Sequence, residues 1–101
     1  LKLIWTKIYR TSGEILLAAA DEEIMGLEFK EGKYRIKVSE GFYKGQLVNE
    51  QQYIELFRLC TVANIVGSRA VEAAIKAGFI DRSRILVIGG VPHAQFSILE
   101  V

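Results

Sequence analysis

The segment Ile15-Leu16-Leu17-Ala18-Ala19-Ala20 has no polar face. Alternate side chains of a strand leave opposite faces of its sheet, so a strand built from this run must be covered on both sides. Leu1 to Arg10, rich in β-branched and aromatic residues, precedes it across the turn Thr11-Ser12-Gly13. The two predict a hairpin with Gly13 in the left-handed position. The rest of the chain must supply a layer for each face.

The 101 residues predict a single domain, 1–101. Half are hydrophobic and a quarter charged, which excludes a disordered chain. A formal net charge of +1 excludes a general polyanion binder but leaves room for a local basic face. One cysteine and one histidine exclude a disulfide scaffold and a structural zinc site, so no metal or cofactor is expected. The chain opens on Leu1, which reads as a trimmed start. No apolar run reaches the roughly 18 residues of a membrane span, and no charged-then-apolar signal precedes the first strand. The expectation is a soluble, cytoplasmic protein without membrane contact.

Asp21 reads as the N-cap of a short helix opened by Glu22 and Glu23 and closed by Gly26. Leu27 to Lys30 and Lys33 to Val38 flank Glu31-Gly32 as a second hairpin, with Tyr34, Ile36 and Val38 toward the core. Gly41 and Gly45 punctuate a loop carrying Phe42, Tyr43 and Lys44. Asn49 and Gln52 form a capping box, after which Tyr53, Leu56, Phe57, Cys60 and Ala63 keep helical spacing. The uncharged stretch between Arg58 and Arg69 extends this helix to Gly67, which breaks or bends it. A second helix then carries Arg69, Glu72 and Lys76 over Val71, Ala74 and Ile75 and ends at Gly78. Ile85 to Ile88 reads as a central strand, and His93 to Val101 as the last one. The sum is an α+β fold: a mixed, mostly antiparallel sheet with a helical segment, about 50–77, packed on one face.

Two groups of residues invite a functional reading. Lys33, Arg35 and Lys37 alternate along one strand, a row of cations roughly 14 Å long that suits a phosphate backbone. Lys44 adds to it, and Trp5, Lys7 and Tyr9 interleave aromatics with a base as in surfaces that stack nucleobases. The competing reading is a solvated face, with Trp5 and Tyr9 under a helix. The second group is the turn Gly89-Gly90-Val91-Pro92-His93. Its glycines allow close backbone approach, and His93 titrates near neutrality. The competing reading is a tight turn between strands. Gln95 and Asn64 join this candidate recognition turn. Asn64, an amide within an uncharged run, needs partners, and a loop carbonyl would serve. A Cys60–His93–Asn64 thiol constellation is disfavoured, because Cys60 lies on the apolar stripe.

Three blocks resemble the archaeal family of unknown function DUF424. They are Gly13-Glu14 with Leu17 to Glu22, Ala63 to Glu72 with Ala77-Gly78, and Ile88 to Gln95. The resemblance implies a small archaeal cytoplasmic α+β protein and carries over no catalytic residue. The leading expectation is a non-enzymatic module bound to RNA or a ribosomal subunit in archaeal translation. The alternative is a small-molecule site or enzyme at the Gly89–His93 turn, favoured if a pocket forms there with Asn64 or Gln95. A third reading is a self-assembling subunit, a homo-oligomer buried through Trp5, Tyr9 and Phe96.

Overall fold

The computed structural model describes residues 2–98. A six-stranded sheet has the order β5-β1-β2-β6-β8-β7. Its strands are β1 (Ile4–Thr11), β2 (Glu14–Asp21), β5 (Gln46–Val48), β6 (Val62–Val66), β7 (Leu86–Ile88) and β8 (Val91–Ser97). Only the β2–β6 pair is parallel; every other neighbour in this sheet is antiparallel. A separate two-stranded sheet pairs β3 (Glu28–Glu31) with β4 (Tyr34–Lys37). The helices are α1 (Glu40–Tyr43), α2 (Glu50–Leu59) and α3 (Ser68–Lys76).

The doubly apolar run behaves as its composition demands. Leu17 and Ala19 enter one core with Tyr53 and Phe57 of α2 and Ala70, Val71 and Ala74 of α3. Ala18 and Ala20 enter another on the opposite face, under Val38, Tyr43 and partly buried Phe29 and Phe42. The sheet is therefore the middle layer of three. Helices α2 and α3 form one outer layer, and the β3–β4 hairpin with α1 forms the other. The Asn49–Gln52 capping box opens α2 with both reciprocal bonds in place. At the end of α3, Gly78 N–H donates to Ile75 O and Phe79 N–H to Ala74 O, a Schellman closure.

The uncharged stretch departs from expectation. Helix α2 stops at Leu59, and residues 62–66 form β6 at the centre of the sheet. A run without charges fits a strand buried on both faces as well as a buried helix. The β-branched Thr61, Val62, Ile65 and Val66 tip this one to a strand. Conversely, Ile85 to Ile88 is not central: β7 is an edge strand, with Leu86 43% and Val87 52% exposed. Tyr34 is also exposed, since Phe29, Ile36 and Val38 are the side chains by which this hairpin enters the core. The last strand ends at Ser97, and residues 99–101 of the expected one lie outside the described residues, as does Leu1.

Asp21 caps a different helix from the one beside it. Its carboxylate makes no cap bond to the 3₁₀ turn Glu22–Ile24. It accepts instead from the N–H groups of Arg69 (3.0 Å) and Ala70 (2.9 Å), at the start of α3. Gly67 makes this possible, since a Cβ there would lie 2.4 Å from the Asp21 carboxyl carbon. Burial nevertheless pushes the Asp21 pKa up, against the pull of those two donors. Arg69 completes the junction by pairing with Glu23 and donating to Leu3 O.

Candidate functional site: the open half of the second sheet face

Residues aligned across neighbouring strands point to the same face, and two such rows define the face opposite α2 and α3. One row is Lys7, Ala18, Asn64 and Gln95; the next is Trp5, Ala20, Val66, His93 and Leu86. The segment around α1 covers the β1 end. Tyr9 stacks on Phe42 with centroids 5.4 Å apart, and its hydroxyl donates to Phe42 O at 2.7 Å. Lys7 Nζ donates to Gly41 O at 3.0 Å, and Lys44 Nζ lies 5.5 Å from the centre of the Trp5 ring. Trp5, Lys7, Tyr9 and Lys44 are thus held by contacts within the chain. Lys33, Arg35 and Lys37 stand apart from them on the exposed hairpin, with Arg35 3.5 Å from Glu28 and Lys33 over the Tyr34 ring.

Beyond α1 the cover stops, and polar groups converge. Tyr43 donates its hydroxyl to Asn64 Oδ1 at 2.7 Å, and His93 Nε2 lies 3.2 Å from the same oxygen. Desolvation pushes the Tyr43 pKa up to about 12, so this hydroxyl stays a donor at any physiological pH. Burial pushes the His93 pKa down, which keeps the ring neutral near pH 7. With an acceptor facing Nε2, that nitrogen carries the proton and Nδ1 is left as an acceptor. Asn64 therefore has its oxygen fixed by two side chains, where the sequence suggested a loop carbonyl.

Asn64 lies on the wall of a groove of about 410 Å³. Leu16, Phe42 and Val62 supply apolar surface; Gln95 and Arg84, from the 3₁₀ turn Arg82–Arg84, supply polar groups. Arg84 and Gln95 also line a smaller hollow of about 300 Å³ against His93. Phe96, beside Gln95, turns its ring to Phe57 (5.1 Å) and Phe79 (5.9 Å), so its role is in the core cluster.

The candidate recognition turn divides. Gly89 and Gly90 close the two-residue β7–β8 hairpin with φ of 58° and 84°, as a turn with two left-handed residues requires. The second hairpin holds this turn: Gly89 N–H donates to a Glu31 carboxylate oxygen at 2.9 Å, and a Gly89 Cβ would sit 3.1 Å from Lys30 O. Pro92 lies within β8, and its carbonyl accepts from Gly67 N–H. Asn64 and Gln95 line the groove, and His93 backs Asn64 from the adjoining hollow. Cys60 lies in the core beneath the helices, where burial raises its thiol pKa to about 11, and it takes no part. Nothing in the sequence marks Tyr43 or Arg84 as a site residue. Both sit in short connecting segments whose local patterns report turns and nothing of what they face.

The family profile described as protein of unknown function (DUF424) matches residues 9–99. The chain belongs to the DUF424 family. No curated protein matches this DUF424 chain. Among solved structures it is similar to an uncharacterized conserved protein from Methanopyrus kandleri, at 26% identity and a TM-score of 0.83. The similarity covers 98% of this chain and 94% of that one. Among the described residues of this DUF424 protein, no three His, Cys, Asp or Glu side chains cluster to hold a metal ion. No helix among them is long and apolar enough to cross a membrane.

Proposed function

We propose that this DUF424 protein is a non-enzymatic binding module that takes a small ligand in the groove between α1 and the 3₁₀ turn Arg82–Arg84. The observation that carries this reading is the double hold on Asn64 Oδ1 by Tyr43 and His93. With its oxygen occupied, the Asn64 amide can rotate only at the cost of two hydrogen bonds. Its N–H donors are therefore pre-aligned, which lowers the ordering cost of binding. The groove volume falls within the range usual for small-molecule sites. The groups favour holding over transforming. His93 Nε2 is committed to Asn64, and the Cys60 thiol lies in the core on the other side of the sheet.

The test is a ¹⁵N NMR titration of the chain with the low-molecular-mass fraction of an archaeal lysate. The side-chain amides of Asn64 and Gln95 are expected to shift, and Asn64→Ala to abolish the response. A response that survives Asn64→Ala removes the groove from consideration.

The exposed row Lys33, Arg35 and Lys37 supports a second reading, contact with RNA or a ribosomal subunit in archaeal translation. An oligouridylate probe would then bind through residues 28–37, weaken steeply as salt rises, and weaken further in Arg35→Ala. An absence of binding at low salt ends this reading.

A further inference from the structure

A small-ligand site in this groove, once granted, has walls that specify the chemistry of its occupant. Resting on that proposed site, we infer that the ligand is a planar organic anion, a phosphate ester or a carboxylate, with its charged end on Arg84 and its ring edge on Asn64. Among the described residues the groove wall contains one guanidinium, two carboxamides and the Ser97 side chain, and no carboxylate. Arg69, Arg82 and Arg35 lie against Glu23, Glu72 and Glu28, whereas no carboxylate bonds Arg10, Arg58 or Arg84 among the described residues, and of these three Arg84 is the one on the groove wall. Asp81 shares an adjoining hollow with Arg84 and feels its charge, but makes no bond to it. Its carboxylate is engaged by Ser83, accepting from the backbone N–H at 2.9 Å and from the hydroxyl at 2.8 Å. A guanidinium left open beside a concavity matches an oxyanion with two parallel hydrogen bonds.

The rest of the groove shapes the remainder of the ligand. Asn64 offers fixed N–H donors, which call for a carbonyl or ring-nitrogen acceptor. Gln95, its cross-strand neighbour, is exposed and able to present either end of its amide. Phe42 and Leu16 give an apolar wall against which a flat ring packs. One end charged, one edge rich in acceptors and two apolar faces describe a heterocycle bearing an acid.

Three probes that share one ring separate the contributions of charge and ring: uridine 5′-monophosphate, orotate and neutral uridine. Titrations of the ¹⁵N-labelled chain are read at the Asn64 and Gln95 side-chain amides. At least one of the two anions is expected to shift both amides and to bind at least about tenfold more tightly than uridine, the effect of one charge-assisted contact. Arg84→Gln is expected to remove that advantage and leave uridine binding unchanged, and Arg84→Lys to restore part of it. Which anion binds tells a phosphate ester from a carboxylate. Uridine binding as tightly as either anion, with no effect of Arg84→Gln, overturns the anion inference and leaves the groove as a ligand site. Shifts confined to residues 28–37 overturn both. No shift with any probe at millimolar concentration overturns the inference, and the groove then stands or falls on the lysate titration with Asn64→Ala.

Discussion

The two faces of one sheet are finished differently. Under α2 and α3 the contacts are almost wholly apolar, and Phe57, Phe79 and Phe96 interlock with centroids 4.4–5.9 Å apart. The polar links there are structural: the Asp21 carboxylate caps α3, and the buried Tyr53 hydroxyl donates to Ala70 O at 2.8 Å and ties α2 to α3. On the other face α1 and the hairpin, which reaches the β7–β8 turn, cover β1 and much of β2 and β6, and the opening they leave is lined by Asn64 and Gln95, with His93 beside it. The difference teaches how the length of the covering elements decides whether a sheet face is sealed. A face closed by helices has no room for a ligand. A face covered by short elements leaves a polar opening beside a packed core.

Substitutions on the two faces should therefore separate stability from binding. Phe57 is 1% exposed and touches three other rings, so Phe57→Ala should cost about 3–5 kcal/mol in chemical denaturation. A loss near that of a surface substitution would break the contrast between the faces. Asn64→Ala should cost less, roughly 1–3 kcal/mol, because it leaves the Tyr43 hydroxyl without its acceptor. Tyr43→Phe should cost about 1 kcal/mol and loosen the Asn64 amide, seen as faster exchange of its side-chain N–H protons. If those protons are unaffected, Tyr43 is not what fixes Asn64.

The smallest effect is one of pH. Burial holds the folded His93 pKa below its ordinary 6.5, so the unfolded chain takes up the proton first. The contribution of this group is complete above about 6.5 and is lost as pH falls from there through the folded value. Melting temperature should decline over that interval in the native chain and decline less in His93→Gln. Identical pH profiles would place the acid sensitivity elsewhere.

Much of the closed face is legible in the sequence. The β1–β2 hairpin, the two-sided burial of 17–20, the Asn49–Gln52 box and the end of α3 at Gly78 all follow from local patterns. Local patterns fail where distance along the chain decides. Cys60 to Val66 keeps helical spacing with α2, yet pairing with β2 and β8 makes residues 62–66 a strand. The three residues of β5 are too few to show a period, and they are a strand because β1 offers an edge. Of the site, the sequence brings Asn64, His93 and Gln95 together, although through the β7–β8 turn. Tyr43 escapes notice there because its partner is far along the chain and its own segment reads as a loop.

The lone parallel pair has a consequence in time. Strands β2 and β6 lie side by side, yet everything from Glu22 to Thr61 runs between them and wraps both faces. Pairing across such a connection closes a long loop, the slow kind of event in folding. The groove draws on Leu16, Phe42, Asn64, Arg84 and Gln95, one contribution from nearly every stretch of the chain. No fragment that stops short of β8 has the site. On an emerging chain the groove acquires its last wall only after β8 docks, so ligand capture would report that folding is complete.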